Sequence, residues 1–256
     1  MPTPAKFVWY ELMTPDAKAA EAYYSHVIGW TMQDAGMPGG AYTLLSAGGH
    51  TLGGLMALPP EAAAMGTPTC WTGYIGVDDV DASAARIASR GGKVLRSPED
   101  IPGVGRFAVV ADPHGAAFIV FRGNAAEAPP APAPDMPGSI GWHELHASDG
   151  PAAMAFYAEQ FRWTQADAMD MGPMGLYQLF TTGGNAVGGI MTKMPEMPVP
   201  FWLYYINVEA IDAAAQRATA GGGKVINGPM EVPGGSWIVN CIDPQGAHFA
   251  MVAPKR

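Results

Sequence analysis

Charge is scarce in this chain. Only 14% of its 256 residues are Asp, Glu, Lys or Arg, and 14 basic residues face 23 acidic ones, a formal net charge of -9. Such a balance cannot neutralise a phosphate backbone, so nucleic acid is excluded as a partner. Cysteine is scarcer still. Cys70 and Cys241 cannot build a disulfide framework, and a reducing, cytoplasmic compartment is expected. No apolar run approaches the ~20 residues of a membrane-spanning helix, so no membrane partner is expected. The opening Met-Pro-Thr-Pro-Ala-Lys-Phe-Val lacks the basic and apolar regions of a secretion signal. Apolar residues, at 48%, are plentiful enough to exclude disorder for most of the chain. So are Gly (33) and Pro (24), which imply many turns between many short elements.

The chain repeats itself. Trp9-Tyr10-Glu11-Leu12 returns as Trp142-His143-Glu144-Leu145, Tyr23-Tyr24 as Phe156-Tyr157, and Gly53-Gly54-Leu55-Met56 as Gly188-Gly189-Ile190-Met191. From Trp71 to Phe118 the match to Trp202–Phe249 runs ungapped, with 20 identities in 48 positions. It includes Asp112-Pro113-x-Gly115-Ala116 against Asp243-Pro244-x-Gly246-Ala247. A period near 130 residues is too long for a solenoid unit, so each copy is expected to be a domain. The expected division is 1–123 and 139–256, joined by a Pro-rich linker over 124–138. Its prolines favour extended polyproline II and cannot pair in a central strand.

Within copy one, Phe7–Met13 reads as a strand and Asp16–Ile28 as a helix closed by Gly29. Strands at 30–35, 41–47 and 51–57 follow. The order then restarts: strand 71–77, a helix over 81–90 opened by an Asp cap and closed by Gly91-Gly92, and strands at 94–96, 106–111 and 118–122. This is β-α-β-β-β twice per copy and four times per chain, which predicts an α+β fold with mostly antiparallel pairing.

That order is joined by three motifs. They are a helix ending Tyr23-Tyr24-x-x-Val27-Ile28-Gly29-Trp30, a junction Val77-Asp78-Asp79-Val80-Asp81, and the turn Asp112-Pro113-His114-Gly115 before a final strand. Together they resemble the vicinal oxygen chelate superfamily, which holds glyoxalase I, extradiol dioxygenases and bleomycin-resistance proteins. Within it the chain is most similar to the tandem, two-domain glyoxalase-like branch labelled as hydroxylases. The resemblance covers everything but the linker. It implies paired βαβββ modules forming a U-shaped sheet, concave inside and backed by helices, with a cup in each copy.

The resemblance also implies where metal ligands would stand. The last-strand ligand falls on Ile119 and Ala250, and the second-module first-strand ligand falls near Thr72 and Leu203. A further ligand falls among Gly54, Leu55 and Met56, and among Gly189, Ile190 and Met191. None of these supplies a carboxylate or imidazole ligand. Only the opening strands keep a candidate, Glu11 and Glu144. A catalytic divalent ion takes three or more protein ligands, so no cofactor is expected. The alternative is a divalent metal in domain 2 held by Glu144, His146 and His248; copy one has Met13 and Ala117 at the matching histidine positions.

The opening strand alternates Phe7, Trp9, Glu11 and Met13 with Val8, Tyr10 and Leu12. The second set is uniformly apolar or aromatic and suits the helix-packed side, which turns Trp9 and Glu11, and Trp142, Glu144 and His146, into the cup. A slip of one residue reverses the assignment. A carboxylate among apolar residues is costly unless hydrogen-bonded, and its pKa can rise into the range of acid–base work. Glu11 and Glu144 are therefore candidate catalytic groups; the alternative is a structural carboxylate bonded to a neighbouring strand.

Candidate ligand-binding residues are Trp9, Tyr42, Thr72, Tyr74, Ile119, Trp142, His146, Tyr177, Leu203, Tyr205, Trp237, His248 and Ala250, with ordinary core as the alternative. His114 and Gln245 read as turn residues, His26 and His50 as surface. Cys70 and Cys241 have no activating neighbour in the sequence and read as unreactive. The leading expectation is a small-molecule binder or metal-independent enzyme of the glyoxalase/bleomycin-resistance fold, acting on a partly apolar or aromatic organic molecule as a monomer or homodimer. The alternatives are a metal-dependent lyase, isomerase or dioxygenase with a rearranged site in domain 2, and a chain in which one domain is purely structural.

Overall fold

The computed structural model describes residues 3–37, 40–64, 66–125 and 130–256. Module one is β1 (Phe7–Thr14), α1 (Ala17–Ile28), β2 (Thr31–Asp34), β3 (Tyr42–Ala47) and β4 (His50–Ala57). After a short helix, α2 (Pro60–Ala64), module two is β5 (Cys70–Gly76), α3 (Val80–Ser89), β6 (Lys93–Ile101), β7 (Gly105–Ala111) and β8 (Ala117–Gly123). Copy two repeats the order. Module three is β9 (Ile140–Ala147), α4 (Gly150–Phe161), β10 (Thr164–Asp170), β11 (Leu176–Thr181) and β12 (Ala186–Thr192). Module four is β13 (Phe201–Asn207), α5 (Ile211–Ala220), β14 (Lys224–Glu231), β15 (Trp237–Ile242) and β16 (His248–Ala253).

The strands form two eight-stranded sheets, one per copy, in the orders β2-β3-β4-β1-β5-β8-β7-β6 and β10-β11-β12-β9-β13-β16-β15-β14. The chain is thus two tandem α+β domains with mixed sheets. Within a module the last three strands run antiparallel, and the last lies parallel to the first, as β4 does to β1 and β16 to β13. The parallel pair follows from the helix crossover: one helix and two hairpins return the chain alongside its starting strand.

Local signals account for the helix ends. Asp16 caps α1 by accepting from the Ala19 N–H, and Gly29 closes it at φ 87°. In α3 the cap is Asp79, and Asp81 instead sits in the first turn, paired with Arg106. Strand β6 is longer than the 94–96 expected. It is a sheet edge whose Val94 and Leu95 face solvent, so no alternation marks its extent.

Two compact units cut across the two copies. One, inner in chain order, comprises Met1–Val8, Thr72–Pro130 and Trp142–Trp202, essentially modules two and three. The other, outer in chain order, comprises Trp9–Trp71, Ala131–Gly141 and Leu203–Arg256, essentially modules one and four. Each has the same buried hydrogen-bond chain at its centre. In the outer unit Trp71 Nε1 donates to Tyr24 Oη (2.9 Å), which donates to Asp243 Oδ2 (3.0 Å). In the inner unit Trp202 Nε1 donates to Tyr157 Oη (3.1 Å), which donates to Asp112 Oδ2 (3.4 Å). The other oxygen of each Asp accepts backbone N–H groups of its own turn, so the Asp-Pro-x-Gly turn of one copy is locked to the helix of the other. A buried carboxylate bond of this kind contributes roughly 1.5–3 kcal/mol.

Helix–helix contacts repeat the pattern. Arg217 of α5 donates to the Val27 carbonyl of α1 (2.9 Å), and Arg86 of α3 to Gln160 of α4 (3.0 Å). Gln245 is more than a turn residue: its Oε1 accepts from the Thr14 hydroxyl (2.5 Å) and the Asp16 N–H (2.7 Å), clamping the entry to α1. Of the expected linker over 124–138, residues 126–129 lie outside the described residues. Its end is anchored in the outer unit, where Trp30 Nε1 donates to the Gly138 carbonyl (2.8 Å) and Asn207 Nδ2 to that of Pro134 (2.8 Å).

Candidate functional site

Strand alternation on β9 turns Trp142, Glu144 and His146 to one face and His143 and Leu145 to the other. Glu144 pairs in register with Gly189 on β12, and Tyr177 on β11 pairs with Met191. The missing side chain at 189 is what admits Tyr177. A Cβ built there would lie 2.2 Å from the tyrosine ring. Laid across that glycine, Tyr177 Oη accepts from Trp142 Nε1 (2.7 Å) and donates to Glu144 Oε2 (2.9 Å). The second carboxylate oxygen, Oε1, lies 2.8 Å from His146 Nε2. Glu144 and His146 are both buried, and the imidazole stacks on Phe201 with centroids 4.9 Å apart.

A carboxylate oxygen only accepts, so His146 Nε2 carries the hydrogen, and in the neutral imidazole Nδ1 is then the acceptor nitrogen. That Nδ1 is buried and has no hydrogen-bond partner among the described residues.

The outer unit holds the same chain from copy one. Glu11 pairs with Gly54, whose absent Cβ would lie 2.0 Å from the Tyr42 hydroxyl. Trp9 Nε1 donates to Tyr42 Oη (3.0 Å), which donates to Glu11 Oε2 (2.9 Å). Burial first, then the Glu11 charge, holds the Tyr42 phenol well above its ordinary pKa, so it stays a donor. Tyr42 lies on the strand face opposite Thr43, which bonds Glu21 of α1. Glu11 therefore stands on the side away from that helix, as the alternation predicts. Where copy two has His146, copy one has Met13, paired with Met56.

The remaining expected site residues fall separately in the two units. Thr72, Tyr74 and Ile119 are buried in the inner unit, with Tyr74 opposite Ile119 on β5 and β8. Leu203, Tyr205 and Ala250 are buried in the outer unit, with Tyr205 opposite Ala250. Trp237 lies under the Arg256 guanidinium, 4.9 Å from its ring centroid. His248 begins β16, is exposed and belongs to the outer unit, whereas Glu144 and His146 belong to the inner one.

Among the described residues, no three His, Cys, Asp or Glu side chains are grouped to hold a metal ion. The donor sets agree with that geometry. The glutamate of each opening strand is already bonded by a phenol, and the space over Gly54 and Gly189 is filled by tyrosine rings.

Nothing in the sequence marks Phe201, whereas the shared offset of 135 between Gly54 and Gly189 and between Tyr42 and Tyr177 is the signal that ties each glycine to its tyrosine. His143, on the opposite face, donates from Nδ1 to the Val187 carbonyl (2.8 Å) and stacks on Phe7 at 4.3 Å. Burial lowers its pKa to about 4, so it is a neutral packing group. Burial likewise pushes the Cys241 thiol up to about 12, an unreactive state.

The family model for the glyoxalase/bleomycin resistance protein/dioxygenase superfamily matches residues 6–120 and again 139–251. The chain belongs to that superfamily. Among its relatives is the anthracycline biosynthesis protein DnrV of Streptomyces peucetius, 34% identical over 262 residues that cover 97% of this chain and 93% of DnrV. CFP32 of Mycobacterium tuberculosis is 34% identical over 250 residues, covering 96% of this chain and 94% of CFP32. Two solved structures share the fold. A Mn(II)-bound glyoxalase from Novosphingobium aromaticivorans has TM-score 0.65 at 18% identity, covering 98% of this chain and 82% of that one. Homoprotocatechuate 2,3-dioxygenase from Arthrobacter globiformis has TM-score 0.67 at 14% identity, covering 100% and 80%. No helix among the described residues is long and apolar enough to cross a membrane.

Proposed function

We propose that this glyoxalase-like protein binds a small, partly aromatic organic molecule on the face of β9, without a resident metal, in the cytoplasm. The observation that carries the reading is Glu144, a buried carboxylate held by Tyr177 and His146 beside Trp142 and Phe201. Apolar and aromatic walls with a few fixed polar groups are the usual make-up of a small-molecule site. The polar groups are prealigned, since Trp142 orders the phenol and the phenol orders the carboxylate. The anthracycline-biosynthesis name of DnrV supports a fused aromatic ring system as the ligand class.

Thermal-shift and calorimetric titration with an anthracycline, a hydroxylated anthraquinone and aliphatic aldehydes tests the reading. A ligand at about 100 times its Kd stabilises the folded chain by about 2.7 kcal/mol, several degrees in melting temperature. Glu144→Ala should weaken that binding about tenfold or more. No stabilisation by any aromatic compound sinks the proposal.

A further inference from the structure

We infer that His146 reads an acidic hydroxyl on the bound molecule, with Nδ1 accepting the proton of a phenol-type or enol-type O–H and Glu144 holding the imidazole in the tautomer that can do so. The inference deepens the binding function proposed above and rests on it.

Four observations carry it. The 2.8 Å contact between Glu144 Oε1 and His146 Nε2 places the ring hydrogen on Nε2. Nδ1, the acceptor nitrogen of the neutral ring, is then buried with no hydrogen-bond partner among the described residues. A buried polar atom left unpaired is costly, and such atoms call for a reason such as a ligand or a catalytic role. Third, the structure does not need a histidine here. The equivalent position in copy one is Met13, beside the same Trp–Tyr–Glu chain. Fourth, Phe201, which stacks on the imidazole, is itself only partly buried, and a partly exposed aromatic ring is a usual contact for an aromatic ligand.

The chemistry follows from that arrangement. A carboxylate bonded to one imidazole nitrogen orients the ring and stabilises the imidazolium formed when the other nitrogen takes a proton. The ligand's O–H bond breaks, its electron pair stays on oxygen as a phenolate or enolate, and the proton binds Nδ1. The imidazolium remains paired through its Nε2–H with Glu144. No oxidant, reductant or co-reactant enters, and release of the ligand reverses the step. The hydroxyl of Tyr177 is committed to Glu144, so the proton acceptor is His146.

The test compares 1,8-dihydroxyanthraquinone with unsubstituted anthraquinone on the full chain. Affinity is read by calorimetry, and ionisation by the long-wavelength phenolate absorption band. The wild type should bind the dihydroxy compound about tenfold tighter or more, and shift its spectrum toward the phenolate. His146→Met, which installs the copy-one residue, should erase both the preference and the band. Glu144→Gln should lose most of the band, because the imidazolium loses its counter-charge. If His146→Met melts early, His146→Gln gives the same ratio. A band that survives in both His146 variants overturns the inference, as does a wild type that binds the two compounds equally with no band. Binding of neither compound by the wild type is a different failure: it removes the aromatic-ligand function itself, and the proton acceptor with it.

Discussion

The inner and outer units each bury one Trp–Tyr–Glu chain, and the two are nearly superimposable in their distances. Indole to phenol is 2.7 Å for Trp142–Tyr177 and 3.0 Å for Trp9–Tyr42, and phenol to carboxylate is 2.9 Å in both. Two residues farther along the strand they part, at His146 and Met13. One residue back they part again, at His143 and Tyr10. The repeat thus keeps what a sheet needs in order to bury a carboxylate and varies what stands beside it. The glycine, the tyrosine and the tryptophan form one packing solution. The histidine is an addition that packing alone does not require.

The largest effect should come from breaking what the two units share. Gly189→Ala and Gly54→Ala each drive a Cβ into a tyrosine ring. Overpacking costs about 1–3 kcal/mol, and the carboxylate that loses its donor about 1–3 more. Each variant should lose on the order of 10 °C of melting temperature. A loss in one copy only breaks the equivalence of the two chains.

His143 gives the next effect, and only in the inner unit. Its pKa is lowered from 6.5 to about 4 by burial, so the folded state refuses a proton that the unfolded state accepts. The sign is therefore loss of stability as pH falls from about 6.5 to about 4, with no further change below and none above. The ceiling is about 3 kcal/mol at about 1.4 kcal/mol per unit. In melting curves against pH, His143→Gln should flatten this slope. Tyr10→Phe, its counterpart, should leave the slope unchanged.

Removing a hydroxyl should cost less. Tyr177→Phe and Tyr42→Phe each leave an indole N–H and a carboxylate oxygen without the phenol, about 2 kcal/mol by denaturant unfolding. The smallest effect is the exchange of the distinguishing residues. His146→Met should change stability by about 1 kcal/mol or less, because it removes a buried unpaired nitrogen together with one carboxylate contact. A loss above about 3 kcal/mol makes His146 a structural residue and erases the contrast with Met13.

Much of this was legible in the chain. The βαβββ order, Gly29 as a stop and the sharing of one strand face by Trp9 and Glu11 all follow from local periodicity and turn chemistry. The extent of β6 was not, because an edge strand with both faces partly wet carries no alternation. Nor was the role of Gln245, whose clamp on Thr14 and Asp16 joins residues more than 200 positions apart.

By itself the sequence determined the duplication and the four modules, since these need only residue identity and spacing. Only the tertiary structure decided that modules two and three share one compact unit and modules one and four the other. It alone decided that Tyr177 fills the space above Gly189, and that His146 turns Nε2 to Glu144 and leaves Nδ1 bare. The physical reason is that a strand's two-residue period fixes which face a side chain takes. Which atom it meets there depends on register with strands far away in the chain and on the space a neighbour leaves open.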